Sequence, residues 1–121
     1  MSTRKVLGKN AEELKDKNVL IVGVGGLGCT VANLLARVGV NLILVDYDVV
    51  SASNLERQIL YDKNDLSKKK VRVAQTKLEQ FTNIKIIGDN IIENNIRKII
   101  TKDIDLVIDC TDNVKTRLLL K

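Results

Sequence analysis

Apolar and polar positions along the chain follow two periods. Residues 19–22 and 42–45 are apolar runs with no alternation, the mark of a strand buried on both faces. They predict strands over 19–23 and 42–46. Shorter runs predict two more, over 85–88 and 106–109. Between strands the period lengthens. Residues 27–38 repeat at helical spacing, with Leu34, Leu35 and Val38 expected to face the sheet and Gly39 to stop the helix. A second helix is expected from a Ser67 cap through Phe81, with Val71, Ala74 and Leu78 on one stripe. Residues 11–17, 91–100 and a segment from Thr111 onward read as further helices. Residues 47–65 are long, polar and irregular, and long loops in compact domains are usually functional.

Strands that alternate with helices imply a parallel sheet with right-handed crossovers. The expected architecture is a single α/β domain over residues 1–121. Its sheet is doubly wound and Rossmann-like, with about four strands in the order 3-2-1-4 and helices on both faces. That order brings the ends of strands one, two and four together, and with them Gly23, Asp46 and Asp109. Ligands of open α/β sheets bind at this carboxyl edge.

Chemistry enters at the first strand's end. Gly23, Gly25 and Gly28 form G-x-G-x-x-G, followed at once by a helical pattern. Such glycines allow a tight turn, a close approach of backbone to phosphate, and close helix–strand packing. The helix behind them offers unpaired N–H groups and a partial positive charge. An acid that holds ribose hydroxyls is expected roughly 20 residues on, and Asp46 stands there. The plainer alternative for Asp46 is a turn residue.

Composition narrows the field. No apolar run reaches the roughly 18 residues of a membrane span, and residues 1–14 lack the apolar stretch of a signal peptide, so a cytoplasmic protein is expected. The chain has no histidine, which removes His-based catalysis. Cys29 and Cys110 form no metal spacing and read as packing residues. The formal charge is +5, partly from Lys68, Lys69, Lys70 and Arg72. Lys68 and Lys69 read as a solvated face. The few aromatics, Tyr47, Tyr61 and Phe81, make no stacking platform, which argues against nucleic acid.

The loop after Asp46 carries Asp48, Ser53, Asn54, Arg57 and Gln58. Lys70 opens the next helix, and Asp109-Cys110-Thr111-Asp112-Asn113 follows the fourth strand. An arginine, a lysine and a carboxylate around the phosphates have no task in hydride transfer. Nucleotidyl transfer uses all three, because cations offset charge on phosphoryl oxygens and a carboxylate holds Mg²⁺.

With these pieces the sequence resembles the ThiF/MoeB/HesA family, relatives of ubiquitin-activating enzymes. The resemblance rests on GVGGLGC, LVDYDVVSASNLERQ, the KKKV segment and DCTDN, across residues 19–117. Its most specific element is N-L-x-R-Q, matched by Asn54, Leu55, Arg57 and Gln58. The resemblance implies an enzyme that binds Mg·ATP and adenylates the C-terminal Gly-Gly carboxylate of a ubiquitin-like sulfur-carrier protein. It implies that Gly23, Gly25, Gly26 and Gly28 line the phosphate loop and that Asp46 holds the ribose. Asn54, Arg57 and Lys70 would contact the phosphates, with Gln58 and Asp48 close by, and Asp112 would coordinate Mg²⁺. Arg57, Lys70 and Asp112 are the expected catalytic residues.

Family members usually continue for about a hundred further residues that carry the surface for the carrier protein. Lys69 stands where the family usually has proline. Arg4 is the only candidate for the arginine that reaches a partner's ATP. A homodimer, or dependence on a partner subunit, is therefore expected, with the apolar Leu118, Leu119 and Leu120 in the contact. Two alternatives stay open. One is a nucleotide-binding half or pseudo-enzyme that needs a partner chain. The other is a fragment of an NAD-binding oxidoreductase, in which Asp46 would hold the 2′-hydroxyl and Arg57 and Lys70 would have no role.

Overall fold

The first strand divides its side chains between two cores. β1 (Asn18–Val22) sends Val19 and Ile21 to one face of the sheet and Leu20 and Val22 to the other, and all four are buried. Successive strand residues point to opposite faces, so an unbroken apolar run needs cover on both sides. The structure, a computed structural model, describes residues 15–55, 58–88 and 95–111. In chain order the elements after β1 are α1 (Gly26–Val38), β2 (Asn41–Val45), a 3₁₀ turn (Ala52–Asn54) and a second 3₁₀ turn (Lys63–Asp65). Then come α2 (Lys70–Leu78), β3 (Ile84–Ile87), α3 (Ile96–Ile99) and β4 (Leu106–Asp109). The four strands are all parallel and ordered β3-β2-β1-β4. This is the doubly wound order expected from the alternation of periods.

One core lies under α1 and α2. It joins Val19, Ile21, Leu42 and Leu44 of the sheet to Cys29, Ala32 and Ala36 of α1 and to Val71, Ala74 and Leu78 of α2. The other core joins Leu20, Val22 and Val45 to Ile96 and Ile99 of α3. Helices thus cover both faces. No described helix is long and apolar enough to cross a membrane.

The register places the site. Val22 lies opposite Val45 on one side and Asp109 on the other. β1, β2 and β3 each begin and end one residue before the expected spans, so Gly23 and Asp46 stand just past their strands. The Gly23 amide donates to the Val45 carbonyl at 2.7 Å, and the Cys110 amide donates to the Val22 carbonyl at 2.8 Å. The three strand ends are stitched together where the chain leaves the sheet.

Two helix expectations need correction. Leu34 faces solvent at 45% exposed, whereas Ala32 and Ala36 are fully buried. α1 lies close on the sheet, and small side chains fit that gap better than leucine. Val38 is buried and Leu35 packs partly against the core, as expected. Ser67 is not the cap of α2, because the helix begins at Lys70 with Lys69 as its N-cap residue and no side-chain cap. Ser67 instead takes a left-handed backbone, φ 68°. Gly39 ends α1 in the left-handed conformation, φ 97°, its amide reaching the Leu35 and Ala36 carbonyls. Most of the helix expected over 11–17, part of that over 91–100 and the segment after Thr111 lie outside the described residues.

Candidate functional site

After Val22 the chain must turn from strand into helix within three residues. Gly23 makes the turn at φ 95°, where a Cβ would stand 3.1 Å from the Cys110 carbonyl oxygen. Gly28 lets the first turn of α1 pass against that same glycine. Gly25 differs, since a Cβ there would meet only the Gln58 Nε2, at an ordinary 3.7 Å. The protein's own packing leaves room at Gly25. Gly25 is also the N-cap residue of α1, offering no side chain as acceptor, and the first turn holds no acid. The first N–H groups of a helix have no intrahelical partner, so this end of α1 is open to an anion.

Asp46 ties the turn to the second strand. One carboxylate oxygen accepts the Val24 amide at 2.8 Å, and the other accepts the Asp48 amide at 2.8 Å. The second bond is the turn role that the residue type suggests. The first crosses from β2 to the glycine turn. Each oxygen keeps a further lone pair, so ribose hydroxyls remain within its capacity.

The loop after Asp46 is pinned by backbone. Residues 48–50 pair with 67–70. The Val50 amide donates to Lys68, the Ser67 amide to Val50, both at 2.8 Å, and the Lys70 amide to Asp48 at 3.1 Å. Val49 and Lys69 form the antiparallel bridge between them. The left-handed Ser67 turns the chain into this pairing. As a result the first turn of α2 starts beside the end of β2, again with no side-chain cap and no acid.

Lys70 opens that turn and is only 5% exposed. Among the described residues no carboxylate pairs with its ammonium. An ammonium without a counter-charge on a mostly buried side chain suits a bound anion. Lys68 and Lys69 are exposed, as expected of a solvated face. Asp48 is exposed as well. Gln58 is 8% exposed, and its Oε1 is buried with no hydrogen-bond partner among the described residues. Its Nε2 is the atom that stands nearest to Gly25.

Beneath the turn sit two donors. The Tyr61 hydroxyl donates to the Val24 carbonyl at 2.7 Å, and the Cys29 thiol donates to the same oxygen at 3.2 Å. Both side chains are buried. Burial pushes the Cys29 thiol up, a shift only partly offset by the Tyr61 hydrogen bond and the charge of Lys70. Burial likewise pushes the Tyr61 phenol far up, with Cys29 and Asp46 adding to the shift. Both groups keep their protons near neutrality and remain donors. Cys29 is therefore a packing residue, as its position on a helix suggests. Burial and the Asp109 charge also raise Cys110.

Asp109 receives the Thr111 amide at 2.9 Å and the Thr111 hydroxyl at 2.6 Å. Arg57 and Asp112 lie outside the described residues. Asn54 ends the first 3₁₀ turn, and Gly26 opens α1. Among the described residues no cluster of three or more Asp, Glu, Cys or His side chains forms a metal set. The structure thus brings together Gly23, Gly25, Asp46, Gln58 and Lys70 around two open helix N-termini. Tyr61 belongs to this group and was not singled out by sequence, because it lies in a stretch that reads as irregular loop. Its one sequence signal is an aromatic residue inside that polar stretch.

Comparison with known proteins gives the site a context. The ThiF family model matches residues 2–121. The chain is 46% identical over 110 residues to the molybdopterin-synthase adenylyltransferase of Haemophilus influenzae, a match covering 88% of this chain and 45% of that enzyme. Among solved structures, E. coli tRNA N6-threonylcarbamoyladenosine dehydratase TcdA in complex with ATP superposes with a TM-score of 0.89 at 27% identity. That match covers 98% of this chain and 51% of the other. E. coli MccB with MccA-N7isoASN superposes with a TM-score of 0.75 at 31% identity, over 86% of this chain and 31% of that one. The chain spans about half the length of the curated relatives it matches.

Proposed function

The chain belongs to the ThiF family, and from that premise we propose that it binds Mg·ATP at the carboxyl edge of its sheet and activates a carboxylate as an acyl-adenylate. The observation that carries this reading is Lys70, a residue only 5% exposed whose ammonium has no carboxylate partner among the described residues, at an uncapped helix start. The room at Gly25 and the unmet Oε1 of Gln58 support it. The solved relative TcdA in complex with ATP agrees with that choice of nucleotide.

In this reading the amides of the glycine turn and Lys70 receive the phosphates, and Asp46 takes the ribose hydroxyls. Arg57 and Asn54 would add phosphate contacts, and Asp112 would hold Mg²⁺. The metal, when bound, offsets charge on the phosphoryl oxygens. An oxygen of the incoming carboxylate bonds to the α-phosphorus, the bond to the bridging oxygen breaks, and pyrophosphate leaves with that electron pair. The nucleophile is already ionised, so no base is required. Positioning and charge neutralisation do the work.

The proposed substrate is the C-terminal carboxylate of a ubiquitin-like sulfur-carrier protein. The similarity to molybdopterin-synthase adenylyltransferases supports this. Activity in this reading is assigned to a homodimer or to a complex with a partner subunit. An NAD-binding oxidoreductase would use Asp46 but would leave Lys70 buried without a purpose.

Titration calorimetry with ATP, AMP and NAD, each with and without Mg²⁺, tests the nucleotide. Mg²⁺-dependent ATP binding with weaker NAD binding is expected, and tight NAD with no ATP overturns the reading. Exchange of labelled pyrophosphate into ATP, with a candidate carrier present, tests the chemistry.

A further inference from the structure

The Val24 peptide groups are held from both sides. The Val24 amide donates to Asp46, and its carbonyl accepts from the Tyr61 hydroxyl and the Cys29 thiol. We propose that Tyr61 is a positioning residue for the nucleotide site: with Cys29 it pins the Val24 carbonyl inward, and so aims the Gly25 N–H out of the turn at the bound phosphates. This rests on the nucleotide reading above.

The geometry follows from the peptide unit. The bond is planar and trans, so the Val24 C=O and the Gly25 N–H point in opposite directions, and none of the peptide bonds among the described residues is cis. The carbonyl points toward Tyr61, which is 5% exposed in the main core. The Gly25 amide therefore points away from that core, and no acceptor takes it among the described residues. It leads a row of open amides into the first turn of α1.

The pinning has an alternative to suppress. Glycine is permissive in both dihedrals, so Gly25 leaves the peptide between Val24 and Gly25 freedom to rotate. Rotated, it would present a carbonyl oxygen to an anion in place of a donor. A phenylalanine at 61 would fill the same apolar space, yet the residue carries a hydroxyl and spends it on this oxygen at 2.7 Å. Cys29 adds a weaker donor to the same atom, from inside α1.

The test uses the full chain, ¹⁵N-labelled, as wild type, Tyr61→Phe, Cys29→Ala and the double variant. Two readouts are needed. The first is the Gly25 amide resonance and its exchange rate without ligand. The second is the dissociation constant for ATP, pyrophosphate and adenosine. In Tyr61→Phe the Gly25 resonance should shift or split. ATP and pyrophosphate should weaken about five- to tenfold, less than the full loss of one charge-assisted hydrogen bond because the amide is misaimed rather than removed, while adenosine stays within about twofold. Cys29→Ala should shift the same resonance less, and the double variant more than either. If Tyr61→Phe does not fold, Cys29→Ala alone decides. Equal weakening of adenosine and ATP marks general damage and overturns the proposal, as does an unmoved Gly25 resonance. A wild-type protein that binds none of the three ligands overturns the nucleotide reading instead. The Gly25 resonance then still judges the pinning, which fails if the variants leave it unmoved.

Discussion

Gly28 passes the carbonyl oxygen of Gly23 so closely that a Cβ at residue 28 would stand 1.8 Å from it. The obstacle is backbone, so no rotamer relieves it, and α1 would have to lift from the end of β1. Gly28→Ala should cost about 1–3 kcal/mol or more in urea unfolding. Gly25→Ala should leave stability near wild type, because its Cβ meets only a side-chain nitrogen at 3.7 Å. That variant should instead weaken ATP, whose phosphates need the space. Equal stability loss in the two variants would contradict the distinction.

Lys70→Met should separate stability from binding. It removes a charge that has no carboxylate partner among the described residues and keeps an apolar stem at a residue only 5% exposed, so the ligand-free protein should melt no lower than wild type. ATP affinity should fall roughly 10- to 100-fold, the loss of one charged hydrogen bond. Thermal melts with and without Mg·ATP read both effects. A variant that melts lower without ligand would show that Lys70 holds the fold rather than the nucleotide.

Asp46 has two tasks, and substitution should reveal both. Asp46→Ala strands the Val24 and Asp48 amides that it now accepts, at about 1–3 kcal/mol of stability. Affinity for ATP, AMP and adenosine should fall together, since each carries the ribose. Calorimetry that finds only ATP weakened would move the ribose site elsewhere.

Acid should reach the fold through Asp65. Burial pushes this carboxyl up, but hydrogen bonds from Lys77 and the Asp62 amide, with the charges of Lys77 and Lys68, hold it below the usual carboxylate range. A carboxyl lowered in the folded state adds stability above its unfolded pKa of about 3.9. That stability is lost as pH falls through the lower folded value. Lys77→Met should therefore reduce stability at pH 7 and flatten its fall below about pH 4. Urea midpoints measured from pH 7 down to about pH 2 check the slope, and an unchanged slope would exclude Asp65 as the sensor.

The sheet was legible because Leu20, Ile21, Leu42 and Leu44 sit in runs that only a doubly covered strand tolerates. The positions of Gly23, Gly25 and Asp46 at the strand ends were legible because strand end, turn and acid carry a fixed spacing. The face of α1 was misread at Leu34, since apolar size does not reveal how near the helix lies to the sheet, and here the gap admits alanine. The start of α2 was misread because a serine looks like a cap, whereas Ser67 serves a left-handed turn set by pairing with Val50. The burial of Lys70 and Gln58 is invisible to any hydrophobic pattern. Tyr61 was missed for a related reason: a hydroxyl's partner is a tertiary fact.

The central strand has partners of unequal reach. β2 joins β1 after a single helix, a local pairing that forms early. β4 joins from far along the chain, and distant pairings are the slow ones to close. The crevice's third edge, with Asp109 and Cys110, is therefore expected to arrive late in folding, after the glycine turn and Asp46. A ligand that needs all three edges finds nothing to hold before that step. Stopped-flow kinetics with saturating Mg·ATP should accordingly show slower unfolding and an unchanged folding rate, with the bound molecule acting as a latch on the finished sheet.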